Sequence, residues 1–74
     1  MVMQTITVKA TSNASGRAQR IAKGEGRQRT VSVDFSASDD RNLGIAAGTL
    51  GAVLGWQADD DITRDGRVFT NHSR

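Results

Sequence analysis

The chain has no cysteine, no proline and no tyrosine, and only one histidine, one tryptophan and two phenylalanines among its 74 residues. Without thiols there is no disulfide framework, no thiolate metal ligand and no cysteine nucleophile, which fits a cytosolic protein. A single histidine, His72, leaves little from which to build a metal site or a general base, and no nucleophile motif is present. The expectation is a non-enzymatic protein with no cofactor and no bound metal. Domains this small are commonly reinforced by disulfides, a metal or a partner subunit. With the first two closed, self-association remains, and a dimer is favoured.

Long apolar runs are missing as well. The longest candidate is Leu43 to Trp56, LGIAAGTLGAVLGW, fourteen residues without a charge. A bilayer span needs roughly 20 apolar residues, so no membrane is expected. The start, MVMQTITVKA, alternates apolar and polar residues instead of showing a charged region, an apolar run and a cleavage site. Secretion is therefore not expected, and the assigned location is the cytoplasm.

A chain of this length buries only about 60% of the surface its unfolded form exposes. The candidate core is Val2, Ile6, Val8, Ile21, Val31, Val33, Phe35, Leu43, Ile45, Leu50, Val53, Leu54, Trp56, Ile62, Val68 and Phe69. That is one thin layer between a sheet and a helix. Charge is uneven: residues 1–35 hold Lys9, Arg17, Arg20, Lys23, Arg27 and Arg29 against Glu25 and Asp34, whereas residues 36–74 hold four arginines against six aspartates. The net charge of +2 is mild for a protein that lives on nucleic acid.

Val2, Ile6, Val8 and Ala10 fall on one side of a period-two pattern, predicting a half-buried strand that Thr11 to Gly16 interrupts. Arg17 to Lys23 is a second, weaker strand, followed by a tight turn in KGEG. Thr30 to Phe35, with Val31, Val33 and Phe35 on one face, is the third and clearest. Ser38, Asp39 and Asp40 then provide capping oxygens and negative charge for a helix start, and Gly55 supplies its left-handed stop. On that helix Leu43, Ala46, Ala47, Leu50, Val53 and Leu54 share one arc, which is expected to cover the sheet. Asp65-Gly66 signals a hairpin or one closing strand, and residues 71–74 read as a flexible tail. The expected fold is thus a single α+β domain over residues 1–74, a small antiparallel sheet of three to four strands with one helix on one face, in the order β-β-β-α-β.

Four glycines punctuate the helix at Gly44, Gly48, Gly51 and Gly55. An interior glycine costs about 0.8–1.0 kcal/mol relative to alanine, so the first three ask for roughly 2.5–3 kcal/mol from tertiary contacts. One reading is that Gly44 and Gly51 let the helix sit close to its own sheet while Gly48 is tolerated. The other adds the far side, where Ile45, Thr49, Ala52 and Trp56 project away from the core arc and no charge is found. The candidate protein interface is then Gly44, Ile45, Gly48, Thr49, Gly51, Ala52 and Trp56. Trp56 also has a simpler role, folding back over the helix end as a lid.

Arg17, Arg20, Lys23, Arg27 and Arg29 form the rival candidate, a nucleic-acid-binding surface. Several of them are expected to share the sheet face away from the helix, where they would contact phosphates, as in three-stranded sheets backed by a helix. The alternative is a solvated strand whose charge discourages edge pairing. Asp61-x-Thr63-x-Asp65-Gly66 matches the first half of a calcium loop, but His72 stands where a bidentate glutamate belongs, and turn chemistry explains the motif better. The glycines of KGEGR lack the following helix that a phosphate loop needs.

The block GEGRQRTVSVDFSASDDRNLGIAAGTLGAVLGW resembles small orphan proteins of bacteriophages that infect mycobacteria and related actinobacteria. The resemblance rests on RQRTV at Arg27 to Val31, D-x-S-x-S at Asp34 to Ser38, Asn42, the Ala46-Ala47 pair and the LGW ending at Leu54 to Trp56, about half the chain. Leu43 stands where the family often has histidine, and this helix is less polar. The resemblance implies a phage-encoded accessory protein in the cytoplasm of an infected host, acting by binding a host protein rather than by catalysis.

Overall fold

The computed structural model describes residues 3–74. Val2, counted above in the first apolar row, lies outside the described residues. The elements are β1 (Gln4–Ser12), β2 (Ala18–Gly24), β3 (Arg27–Ser32), α1 (Asp39–Val53), β4 (Ile62–Asp65) and β5 (Val68–Asn71). All five strands join one antiparallel sheet in the order β3-β2-β1-β5-β4, with one helix packed on it. The α+β class and single covering helix are as expected. The strand count is higher, because both arms of the last hairpin enter the sheet: β5 pairs with β1 from Gln4↔Asn71 to Thr7↔Val68, and β4 forms the outer edge.

Local chemistry explains the connections. Glu25 and Gly26 have φ of 51° and 75°, both central residues of a two-residue hairpin, which is the turn whose twist matches its strands. Just before it, a Cβ on Gly24 would collide with the Thr5 carbonyl oxygen, so no side chain fits there. The last hairpin turns on Gly66 and Arg67, one residue later than the Asp65-Gly66 signal suggested, with Gly66 at φ 60°.

The third strand is displaced relative to its expected span. It begins at Arg27 and ends at Ser32, because Asn42 gathers the following segment against the helix start: its Oδ1 accepts from the Asp34 N–H at 2.8 Å, and its Nδ2 donates to the carbonyls of Asp34 and Ser38 at 3.0 Å. The chain bends there, and Phe35 points outward, 83% exposed, instead of completing an apolar row.

Ser38 caps the helix, its Oγ accepting from the Arg41 N–H at 3.1 Å. At the other end Gly55 is left-handed at φ 82°, with Trp56 N–H bonded to the Gly51 carbonyl and Gly55 N–H to that of Ala52, the paired bonds of a Schellman stop. Residues 71–74, expected as a tail, are tied down. Asn71 is fully buried, His72 N–H donates to the Asp61 carbonyl, Ser73 Oγ accepts from Asp61 N–H, and Arg74 pairs with Asp60 at 3.1 Å.

The core is smaller than the sequence list: Ile6, Val8 and Ala22 from the sheet against Leu43, Ala46, Ala47 and Leu50 from the helix, bordered by Val31, Leu54, Trp56 and Phe69. Val53 is exposed, and Ile21, paired with Lys9 and Thr30, belongs to the open sheet face. The helix packs on β1, β2 and β3. No helix covers the same side of β4 and β5, where Ile62 is exposed, Phe69 half-buried and Asn71 fully buried.

Candidate binding groove

Strand register decides what lies beside the helix. Ile6 pairs with Phe69, Phe69 with Arg64, and Asn71 with Ile62, so these side chains share the face that α1 covers elsewhere. Because α1 stops short of β5 and β4, Phe69 is only half-buried and Ile62 remains 41% exposed. Between them and the helix flank runs a groove of about 190 Å³ lined by Gly44, Ala47, Gly48, Trp56, Ile62 and Phe69.

Each wall has a specific cause. Gly44 and Gly48 stand on the flank nearest β5, and a Cβ built on either would meet nothing within 4 Å. They therefore do not let the helix approach its own sheet; their missing side chains open the groove. Gly51 differs: it is buried, and a Cβ there would come within 3.3 Å of Trp56 Cε3. Its function is to seat the indole. Trp56 packs on it half-buried as the expected lid, its Nε1 donating to Gln4 Oε1 at 2.7 Å, and the same ring closes one end of the groove.

The other end is polar. Arg64 donates to Asp40 Oδ1 at 3.1 Å, tying β4 to the first helical turn, and its guanidinium lies 5.1 Å from the Phe69 ring centre. The remaining interface candidates lie above and beyond the groove. Ile45, 43% exposed, and Ala52 are on the outward face of the helix. Thr49 is exposed on the flank away from the groove, by its helical spacing from Gly44, and its hydroxyl donates to the Ile45 carbonyl. Sequence reasoning missed Ala47, Ile62 and Phe69 as lining residues. The Asp65-Gly66 hairpin was the available signal, since its register puts Ile62 and Phe69 on one side.

The basic residues do not form the expected sheet face. Arg20 pairs with Val31, Arg29 with Ala22 and Arg27 with Gly24, which gives all three the parity of the helix side. Lys23 alone among the strand cations of the set lies on the open face, opposite Thr7. Arg20 is largely buried and bonded to Asp39 at 3.1 Å, Arg17 sits in the β1–β2 loop, and Arg27 and Arg29 are exposed on the edge strand β3. Period-two alternation scatters them, whereas the sequence shows only that they are close along the chain.

The acidic loop is engaged locally. Asp60 accepts from Gln57 N–H, Asn71 Nδ2 and Arg74, and these bonds hold its carboxyl below the usual carboxylate range. Thr63 Oγ1 is 2.8 Å from His72 Nε2. Among the described residues no cluster of three or more His, Cys, Asp or Glu is placed to hold a metal, and no helix is long and apolar enough to cross a membrane. A second, larger hollow of about 550 Å³ lies by the exposed Phe35, between the β1–β2 loop and the end of β3, lined by Gly16, Arg17, Ala18, Ser32, Val33 and Phe35. It is more polar than the groove.

No protein-family model matches the chain, and neither a curated protein nor a solved structure is significantly similar to it.

Proposed function

We propose that this chain is a small non-enzymatic binding module that offers the groove between α1 and the β4–β5 hairpin to an apolar helix, both in self-association and on a host protein. The observation that carries the reading is the coincidence of two features: a helix flank stripped of side chains at Gly44 and Gly48, and beside it an apolar pair on the last hairpin, Ile62 and Phe69, with no helix over it. Each feature alone is ordinary. Together they form a slot in which a partner backbone approaches closely while its side chains reach Ile62 and Phe69. The likeness of residues 24–56 to actinobacteriophage orphan proteins gives the proposed setting, the cytoplasm of an infected host.

Nucleic-acid binding is the weaker reading, since the register divides Arg20, Arg27 and Arg29 from Lys23 and Arg20 is already paired. One experiment addresses both. The tagged protein is used to capture partners from actinobacterial lysate with and without nuclease, beside Gly48→Leu and an Arg17/Arg20/Arg27/Arg29→Ala variant. A nuclease-resistant protein lost with Gly48→Leu and kept by the arginine variant is the expected result. Nucleic acid lost only with the arginine variant, with a steep salt dependence, refutes the groove reading in favour of the basic one.

A further inference from the structure

Beyond the groove, we infer that the outer edge of β3 is a second docking surface, which takes an extended acidic segment of another protein as an additional, antiparallel strand of the sheet. The sheet has two edges, β3 and β4, and they are built differently. β4 has four residues and is tied to the helix through Arg64 and Asp40, whereas β3 has six, about 20 Å, with no proline, no glycine and an unbroken register. Sheet edges are ordinarily blunted by brevity, proline, a bulge, a covering segment or charge. Of these β3 has charge alone, and every residue of it except Val31 is exposed.

Register shows which backbone groups are free. The Val33 N–H donates to the Ala18 carbonyl, so Val33, Val31 and Arg29 direct their backbone groups into the sheet, and Gln28, Thr30 and Ser32 direct theirs outward. Arg29 folds back over the first of these, its guanidinium donating to the Gln28 carbonyl at 2.7 Å. That bond holds a positive charge at the edge itself. Among the described residues nothing pairs with the outward N–H and carbonyl groups of Thr30 and Ser32.

Charge decides what kind of strand fits. Across residues 17–33 Arg17, Arg20, Lys23, Arg27 and Arg29 stand against Glu25 alone. Arg20 has Asp39, and none of the other four is paired with a carboxylate among the described residues. Arg27 and Arg29 share the helix side of β3. A second copy joined two-fold through β3 would crowd both arginines of each chain onto one face of the joint, and like charges on neighbouring strands oppose such pairing. A strand with Asp or Glu at alternate positions sets a carboxylate beside each arginine instead. Its remaining side chains lie on the open face beside Thr30, where threonine or valine fits. Past Ser32 the added chain reaches the hollow of about 550 Å³, where Phe35 is 83% exposed, and an apolar residue is received there. The free edge repeats donors and acceptors at the spacing of a peptide backbone, which a phosphodiester chain does not reproduce, so an acidic peptide is favoured over nucleic acid.

The probe is a fluorescent peptide that alternates glutamate and threonine after an N-terminal leucine, beside a counterpart with lysine for glutamate. Anisotropy reads affinity, and amide hydrogen exchange followed by NMR reads the edge. The glutamate peptide should bind, the lysine peptide should not, and exchange should slow at the Thr30 and Ser32 amides. Arg27→Glu/Arg29→Glu should weaken the glutamate peptide about tenfold and admit the lysine peptide. N-methylation of those peptide amides that face β3 should abolish binding with the protein untouched. Binding that survives N-methylation, or that leaves exchange at Thr30 and Ser32 unchanged, is a contact of charges alone and overturns strand addition. No binding of the glutamate peptide overturns the proposal outright. A single-stranded oligonucleotide that displaces the peptide and is itself lost with the arginine variant overturns it in favour of nucleic acid. The edge and the groove lie on opposite margins of the sheet, so either can fail without the other.

Discussion

Replacing Gly44 and Gly48 with alanine separates the cost of these glycines from their use. Both are inside the helix and nothing lies within 4 Å of the position a Cβ would take, so the new methyls meet no obstacle in the isolated chain. Each substitution should recover about 0.8–1.0 kcal/mol of helix propensity, and the pair about 1.6–2.0 kcal/mol. For a domain of this length, 1 kcal/mol moves Tm by about 4–8 °C, so the double variant should melt roughly 6–16 °C higher. Gly51→Ala is the internal control. Its Cβ would sit 3.3 Å from Trp56 Cε3, so the ring must give way and the gain should shrink or reverse. Thermal unfolding by far-ultraviolet circular dichroism at low concentration measures these differences on the monomer. The same double variant should associate more weakly, because two methyls now stand in the groove. No rise in Tm would refute the claim that these positions face open space. A rise with undiminished association would show that the glycines are merely tolerated.

Leu50→Ala deletes a fully buried side chain under the helix and should cost about 2–5 kcal/mol, enough to unfold much of a small domain in mild urea. Asn42→Ala leaves the Asp34 N–H without an acceptor and removes one of two donors from each of the Asp34 and Ser38 carbonyls, and should cost about 1–3 kcal/mol, read in the same titration. Asp60 gives a pH signature. Its folded carboxyl titrates below the ordinary value, so its contribution is complete at neutral pH and is lost as pH falls below about 4. Asp60→Asn should therefore lower stability at pH 7 and flatten the acid limb of the stability curve; an unchanged acid limb would contradict the bonding described.

Elements specified by adjacent residues were legible in the sequence. Ser38 at the helix start, Gly55 at its end and the turn at Glu25-Gly26 each act through hydrogen bonds or φ values within a few residues. Phe35 was misplaced because the force that turns it outward comes from Asn42, seven positions further on and disguised as a polar residue on a helix. The basic set was misread for a different reason: proximity along a strand says nothing about face, and a shift of one residue in register reverses it. The glycine face was recognised, yet its neighbours Ile62 and Phe69 were not, because the β1–β5 pairing that brings them beside the helix joins opposite ends of the chain.

Stability and association are linked through the same gap in the wall, at Gly44 and Gly48. Filling it at Gly44 or Gly48 strengthens the helix and narrows the slot; emptying it weakens the helix and opens the slot. In a domain whose largest fully buried side chains, among the described residues, are Ile6, Val8, Leu50 and Asn71, a loss of about 2 kcal/mol is a substantial share of the whole. Binding that fills the groove stabilises the folded chain by mass action, by about 2.7 kcal/mol at a partner concentration one hundred times the dissociation constant. That is comparable to what the interior glycines forfeit. Apparent stability should then climb with protein concentration in the native chain and lose that dependence in the Gly44→Ala/Gly48→Ala variant, so the two melting curves converge, and could cross, as concentration rises. Parallel curves at every concentration would mean that the groove and the fold are energetically independent.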